Sequence, residues 1–288
     1  MRSEKAWAAV FAGPAVFFVG LYLVLPTVQT LYLSFFDRNS RSFVGLDNYR
    51  YLITSSAMQT AFRNNLLWLV VFTACTVLLG LVLAVLLDKV RYEPVAKSII
   101  FLPMAISFAG AGVIWRFVYA YRPAGATQIG LLNEIVVALG GEPRAWLIEQ
   151  PWVNNLALIA AGVWIWTGFC LVIISAAYKG IPRDMMEAAR VDGANEFQIF
   201  RYISLPALYP TLAVVTTTMI INVMKIFDIV YVMTNGAFGT EVLANRMYKE
   251  MFQFRHFGRA SAVAVVLLAV AGVVMAVQIR RFREEEGR

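Results

Sequence analysis

The chain has 288 residues, of which 60% are hydrophobic and only 15% are charged, whereas soluble domains are about 45–50% apolar and about 25% charged. This imbalance predicts a membrane protein rather than a soluble one. The net charge of +7 fits basic cytoplasmic loops better than a nucleic-acid-binding surface, so we expect no nucleic-acid partner.

Six stretches contain the roughly 20 mostly apolar residues that a membrane-spanning helix needs. They are residues 6–36, 65–87, 98–119, 153–178, 208–233 and 260–279. The first begins with an uncharged run of 30 residues from Trp7 to Phe36, well beyond the roughly 7–15 residues of a signal-peptide core. We therefore expect a retained, tilted first helix, with kinks at Pro14 and Pro26.

The basic residues predict the orientation of these spans. If the N-terminus is inside, the inner segments are residues 1–5, 88–97, 179–207 and 280–288. They hold 13 Lys and Arg in 53 residues, against 10 in the 87 residues of the outer segments 37–64, 120–152 and 234–259. The positive-inside rule then places both termini in the cytoplasm. A short interfacial helix is expected at residues 130–139, within the longest outer loop.

The inner segment 179–207 carries the signals of two short helices. Pro182 suits the first turn of a helix, and Gly193 can take the left-handed conformation that ends one. Acidic and basic residues are balanced in this first helix, and its narrow apolar stripe consists of Met185, Ala188 and Ala189.

The second short helix has a capping signal at its start. Asn195 is followed three residues later by Gln198, as in a capping box, and Pro206 is expected to end the helix. We therefore predict a compact helix–turn–helix on the cytoplasmic face. The alternative is an amphipathic connector lying on the bilayer, but interfacial helices are usually basic on one side and bulky and apolar on the other.

The pattern "EAARVDGA" at residues 187–194, followed by Gln198, Phe200, Ile203 and Leu205-Pro206, resembles the EAA loop of binding-protein-dependent ABC importer permeases. Residues 101–125, together with 234–252, resemble the α-glucoside permeases. Four further stretches resemble the larger, maltose-type sugar permeases. They are "FVGLDNYRYL" (43–52), "FLPMAIS" (101–107), "YVMTNG" (231–236) and the stretch 240–266. The resemblance covers essentially the whole chain. One departure is "GAFG" at 236–239, where family members often have Gly-Gly-Pro.

The resemblance implies an all-α membrane protein with six transmembrane helices, the type I ABC importer permease fold and both termini cytoplasmic. Residues 1–288 would form a single permease domain, in the cytoplasmic (inner) membrane of a bacterium or archaeon. Residues 179–207, hereafter the coupling loop, would dock into a separate cytoplasmic ATPase. The loop residues implied in that contact are Glu187, Ala188, Ala189, Asp192 and Gly193.

The resemblance also implies the partners and the energy source. They are a second homologous permease, a cytoplasmic ATPase dimer, an extracytoplasmic sugar-binding protein and membrane lipid. ATP and Mg²⁺ would bind the ATPase, and this chain would hold no cofactor. The sequence agrees, because no GxxxxGK[ST] phosphate loop occurs in it.

Charged residues inside a span are costly and need a reason. Arg116 lies near the outer end of the third span, where it either extends to the interface or serves the pathway. Lys225 and Asp228 are three residues apart in the fifth span, so on a continuous helix they would share a face and could form an ion pair. Such a pair either fixes packing or lines the pathway.

In maltose-type permeases the sugar lies between the fourth and fifth spans, and the resemblance transfers this site to the present chain. The implied pathway residues are Trp166, Phe169, Met219, Asn222, Val223, Lys225 and Asp228, with Ile165 beside them. Taken singly, each aromatic residue is equally consistent with a position facing lipid or in the core of the protein.

No catalytic constellation and no metal-ligand spacing occurs in the sequence. His256 is the only histidine, and Cys75 and Cys170 lie in apolar runs without CxxC spacing. We therefore expect a translocation subunit and no enzyme, catalytic residue or metal. A membrane transferase using Arg116, Lys225 and Asp228, and a passive channel or scaffold, are less favoured alternatives.

The expected cargo is an α-glucoside disaccharide such as maltose, trehalose or sucrose, and glycerol-phosphate is the alternative.

Overall fold

A computed structural model describes residues 2–286, and within them the chain is helical, with extended pairing only at an isolated bridge between Phe36 and Phe43. Met1 and residues 287–288 of the expected domain lie outside the described residues.

The described part of the chain contains fifteen α-helices. They are α1 (Arg2–Val19), α2 (Leu25–Leu33), α3 (Asp47–Thr54), α4 (Ser56–Leu67), α5 (Thr73–Leu87), α6 (Glu93–Phe101), α7 (Phe108–Val118), α8 (Leu131–Ala138), α9 (Val153–Lys179), α10 (Arg183–Val191), α11 (Glu196–Ile199), α12 (Leu205–Met224), α13 (Asp228–Met233), α14 (Leu243–Tyr248) and α15 (Phe257–Glu286). Four π-helical turns continue a helix without a break, at Gly20–Val24, Trp68–Phe72, Phe200–Ser204 and Lys249–Gln253.

Five helical segments are long and apolar enough to span a membrane. They are Phe11–Leu33, Ser56–Leu87, Val153–Lys179, Glu196–Met224 and Phe257–Val277. A sixth span results if the bent pair Glu93–Ala105 and Phe108–Val118 is counted as one. The six predicted spans are therefore found, but the third is not a straight helix.

Two spans are interrupted. The third span bends by 102° where the 3₁₀ turn Leu102–Ala105 ends, and Ser107 restarts the helix by accepting a hydrogen bond from the Gly110 backbone N–H at 3.1 Å. The fifth span ends as α12 at Met224 and restarts as α13 at Asp228. The prediction of one continuous fifth helix is therefore wrong.

The prediction that Pro206 ends the second helix of the coupling loop is also wrong. The helix that begins at Glu196 passes through Pro206 into α12. A proline lacks an N–H group and its ring clashes with the preceding α-helical turn. Here the preceding turn, Phe200–Ser204, is π-helical, and this wider turn accommodates the proline.

The chain divides into two compact units, one comprising Met1–Gln59 and Arg246–Val270, the other Thr60–Asn245 and Ala271–Arg288. Polar contacts hold the first unit together. Asn48 donates to the carbonyl oxygens of Ser34 and Phe36, and the buried Glu250 accepts from Tyr51 at 2.9 Å and from Arg246 at 2.7 Å. These bonds fix the turn after α2 and join α3 to the residues that follow α14.

In the second unit, α9 is the central helix and packs along α5, α6 and α12. Its close contact with α6 depends on Gly168, because a Cβ atom there would lie 2.5 Å from the carbonyl oxygen of Ile100. Gly80 of α5 has the same role, because a Cβ atom there would lie 2.5 Å from the Cβ of Cys170. The small residues therefore let backbone approach backbone, as is common between membrane helices.

The expected short helix at 130–139 is present as α8. Asn133 joins it to the rest of the outer loop, because its side chain donates to the Ala120 and Arg144 carbonyl oxygens and accepts from the Trp146 indole N–H. Leu131 and Leu139 remain exposed on the helix, as an interfacial helix requires.

The contact at Gly168 gives a test of the packing. We expect Gly168→Ala to lower the melting temperature of the detergent-solubilised protein, because overpacking costs about 1–3 kcal/mol. Gly272→Ala is the matched control, since a methyl group there meets nothing within 4 Å. Differential scanning fluorimetry measures both, and equal melting temperatures for the two variants would contradict the packing argument.

Candidate functional site

A pocket of about 170 Å³ lies where both interrupted spans meet the second and fourth spans. Phe108 reaches it directly after the bend of the third span, and residues 225–228 reach it from the interruption of the fifth. The full lining is Trp68, Phe72, Phe108, Trp166, Asn222, Val223, Lys225, Ile226, Phe227, Asp228 and Ile229.

Aromatic rings form one wall of this pocket. The rings of Phe108 and Trp166 stack with centroids 5.9 Å apart and planes 19° from parallel. Trp68 and Phe72 lie 5.8 Å apart on the π-helical turn of the second span. Gly162 of α9 makes room for this pair, because a Cβ atom there would meet Trp68 at 3.0 Å.

Polar groups are concentrated at the interruption of the fifth span. The side-chain amide of Asn222 donates to the Thr218 carbonyl at 2.9 Å. The described residues contain no ion pair between Lys225 and Asp228, since the interruption removes the helical spacing on which the expected pair depended. Both charged side chains line the pocket instead.

The structure brings together five of the seven predicted pathway residues: Trp166, Asn222, Val223, Lys225 and Asp228 all line the pocket. Phe169 packs edge-to-face on Trp166 with a centroid distance of 5.6 Å but lies behind the lining. Met219 and Ile165 are fully buried in the helix packing. Neither of these two residues lines the pocket.

The sequence reasoning missed Trp68, Phe72 and Phe108. Their only sequence signal is an aromatic side chain in an apolar run, which also describes a lipid-facing residue. Helical periodicity cannot separate the two, because lipid and protein interior are both apolar.

The coupling loop contains the left-handed turn and the capping box that its sequence predicts. α10 is followed by Gly193 at φ +87°, in the left-handed region. The capping box is complete, because Asn195 Oδ1 accepts from the Gln198 N–H at 2.9 Å and Gln198 Oε1 accepts from the Asn195 N–H at 2.8 Å. The predicted turn and capping box are confirmed, but the second helix is not short, because it continues into α12.

The surface of the coupling loop is open. Glu187, Ala188, Asp192 and Gly193 are exposed and Ala189 is partly exposed. Large apolar side chains are exposed beside them: Val191 at 87% and Phe197 at 74%. The Glu196 carboxylate lies 2.9 Å from Arg190, joins the two short helices and raises the pKa of Arg190. This surface has the mixed charged and apolar character of a protein contact.

Asparagine pairs on the second and fourth spans hold the outer turn that follows the fifth span. Asn64 donates to the carbonyl oxygens of Gly239 and Glu241, each at 2.7 Å, and Asn154 donates to that of Phe238 at 2.7 Å. The "GAFG" turn keeps left-handed residues at Gly236, Phe238 and Gly239. Its conformation is thus fixed by side chains from elsewhere in the second unit.

Two further candidate residues from the sequence, Arg116 and His256, lie outside the pocket lining. Arg116 is exposed at the end of α7, with a weak 3.4 Å contact to the Val232 carbonyl, as expected for a side chain that extends to the interface. Burial, and then the charge of Arg259, lower the pKa of His256, so it is neutral at pH 7. Among the described residues, no group of three His, Cys, Asp or Glu could hold a metal ion.

The chain is similar over nearly its full length to two curated permeases. It is 61% identical over 277 residues to the osmoprotective compounds uptake permease protein GgtC of Synechocystis sp., which is 96% of this chain and 99% of that protein. It is 49% identical over 287 residues to the α-glucoside transport system permease protein AglF of Rhizobium meliloti, which is 99% of this chain and 84% of that protein.

Solved structures give the same fold. A chain of a bacterial ABC transporter involved in the import of the acidic polysaccharide alginate matches 98% of this chain, and 96% of that chain is covered, with a TM-score of 0.80 at 22% identity. This similarity shows the type I permease fold. The family model for the inner membrane component of binding-protein-dependent transport systems matches residues 76–283, well over half of the chain. This multi-pass membrane protein therefore belongs to the family of binding-protein-dependent transport system inner membrane components.

Proposed function

We propose that this chain is the translocation subunit of an importer that carries a sugar into the cytoplasm, driven by ATP that a separate subunit hydrolyses. The observation that carries the proposal is the pocket at the two interrupted spans. Stacked rings of Phe108 and Trp166 offer an apolar face, and Asn222, Lys225 and Asp228 offer hydrogen-bonding groups beside it. Apolar walls with a few placed polar groups are what small-molecule sites require.

The charges of the pocket favour a neutral cargo. Lys225 and Asp228 both line it, so one positive and one negative group face the same space. An anion such as glycerol-phosphate would be attracted by Lys225 but repelled by Asp228. A sugar hydroxyl can accept a hydrogen bond from the ammonium group and donate one to the carboxylate.

The names of the two curated relatives narrow the sugar class in this proposal. One is named for osmoprotective compounds and the other for α-glucosides. A small neutral α-glucoside that cells can accumulate, such as trehalose or sucrose, satisfies both descriptions, and maltose satisfies the second.

The size of the pocket supports a partner permease. Its 170 Å³ is below the roughly 300–1,000 Å³ of typical ligand pockets. We propose that a second, homologous permease supplies the opposite wall, and that the two together alternate between outward and inward access.

The coupling loop would transmit the energy of ATP hydrolysis. Its exposed Glu187, with Val191 and Phe197 nearby in the loop, would fit a cleft on a cytoplasmic ATPase dimer that binds ATP and Mg²⁺. The complete capping box and the left-handed turn at Gly193 define the conformation of the loop, as a transmitting element requires. The outer segments 37–64 and 234–259 would receive a sugar-loaded binding protein.

The cargo is tested with the complete complex, comprising both permeases, the ATPase pair and the binding protein in nanodiscs. We expect binding protein loaded with trehalose, sucrose or maltose to stimulate ATP hydrolysis, and glycerol-phosphate to have no effect. Stimulation by glycerol-phosphate alone would overturn the sugar assignment while leaving the importer class intact.

The pocket is tested with Trp166→Ala, which removes the ring that stacks on Phe108. We expect roughly tenfold slower sugar uptake, because the loss of about 1.4 kcal/mol of stacking and burial corresponds to a factor of ten. Trp164→Ala is the matched control, since this indole lies on the same helix but lines a separate apolar groove. Equal uptake by the two variants would show that the pocket does not hold the sugar.

The coupling loop is tested with Glu187→Lys and Gly193→Pro. We expect both to insert normally and to lose sugar-stimulated ATP hydrolysis. The first reverses an exposed charge, and the second removes the φ of +87° that the turn requires, because proline holds φ near −65°. Glu134→Lys, a charge reversal on the partly exposed outer helix α8, should keep stimulation. Retained stimulation in both loop variants would exclude the docking role.

A further inference from the structure

The segment that follows the second span contacts the coupling loop at two places. Lys89 Nζ lies 2.6 Å from Glu196 Oε2, at the start of the second short helix. Glu93 Oε2, on the first residue of α6, lies 2.7 Å from the Nζ of Lys179, the last residue of α9. Only three residues separate Lys179 from α10, so the second contact lies at the entry to the loop.

The two contacts differ in strength because one is exposed to solvent and the other contains a buried carboxylate. The side chains of Lys89 and Glu196 are 59% and 57% exposed, and solvent and salt weaken such a pair. The Glu93 side chain is only 11% exposed and carries a charge that needs a partner. The contact at Glu93 is therefore the one on which the position of α6 depends.

Glu93 holds two cations at the junction of α6 and α9. Besides Lys179, it pairs with Lys97 one turn further along α6, and the Lys97 ammonium also contacts the buried Ser175 hydroxyl of α9. The single carboxylate thus lies between two ammonium groups. Without its charge, Lys97 and Lys179 would face each other with no counter-ion from Glu93, and the attraction between the helices would become a repulsion.

The other end of α6 reaches the pocket. The helix has nine residues and so extends about 13 Å. Its Ile100 carbonyl lies against Gly168 of α9, where no Cβ atom would fit. After the 3₁₀ turn and the 102° bend, the chain places Phe108 on Trp166 in the pocket wall. The stretch of chain from Glu93 to Phe108 therefore joins the entry of the coupling loop to the pocket.

From this arrangement we infer that Glu93 is a positioning residue for transport. Its carboxylate holds α6 to the entry of the coupling loop, so that displacement of the loop moves α6 and, with it, the Phe108 side of the pocket. The inference rests on the proposed function, because it requires that the loop be displaced by an ATPase.

The test uses the complete reconstituted complex and compares basal ATP hydrolysis, hydrolysis stimulated by sugar-loaded binding protein, and sugar uptake. We expect Glu93→Gln to keep basal hydrolysis but to lower the ratio of stimulated to basal hydrolysis at least about fivefold, the lower end of coupling factors between sites. Glu93→Asp, which keeps the charge, should restore most of that ratio. Glu149→Gln is the control, since it removes the carboxylate paired with Arg144 in the outer loop and should leave the ratio unchanged.

A second variant, Lys179→Gln, tests the same contact in case Glu93→Gln does not fold. Lys179 is 52% exposed, and Lys179→Gln leaves the Glu93–Lys97 pair in place, so we expect normal assembly with a lowered ratio. A wild-type ratio in Lys179→Gln, or an equal fall of basal and stimulated hydrolysis in Glu93→Gln, would overturn the positioning role. If the wild-type complex is not stimulated by any loaded sugar, the proposed function fails as well. If it is stimulated and the variants match it, only the role of Glu93 fails.

Discussion

Inside a bilayer every backbone N–H and C=O group must find its partner within the protein, and the rest of this structure depends on that constraint. It explains why the described chain is helical throughout its spans. It also explains where the two interruptions lie, because irregular backbone at membrane depth is tolerated only when it is buried in protein or lines a cavity. Residues 225–227 and the bend before Phe108 both border the same pocket. The site is therefore located where the helices are broken.

Side chains pair with backbone groups at the bend of the third span and at the turn that follows the fifth span. Ser107 accepts the N–H of Gly110 after the bend, and Asn65 accepts the N–H of Leu243 beyond the outer turn. Asn64 and Asn154 satisfy carbonyl oxygens of that turn. Each of these polar groups would be costly if unpaired in an apolar environment. These bonds fix the start of α7 after the bend and the conformation of the outer turn.

Ionic contacts are concentrated on the other side of the second unit. Within the coupling loop Arg190 pairs with Glu196, and Glu93 connects the entry of the loop to α6. Apolar packing alone would allow helices in lipid to slide, because lipid and protein interior differ little in polarity. A sheltered carboxylate between two lysines gives the junction a specific position. In the proposed importer, this is the point where force from an ATPase would enter the spans.

The sequence by itself determined the membrane class, the positions of the six apolar stretches, the capped helix–turn–helix and the family, because hydropathy and capping depend on residues close together in the chain. The tertiary structure alone decided that the helix continues through Pro206, that Lys225 and Asp228 line a pocket instead of sharing a helix face, and that Phe108 belongs to its wall. It also paired Glu93 with Lys179, 86 residues apart. The helix through Pro206 depends on a π-helical turn, and the Glu93–Lys179 pair on the packing of α6 against α9. The place of Phe108 depends on which face of an apolar helix meets protein and which meets lipid. Both faces have the same composition, so only the packing of the helices distinguishes them.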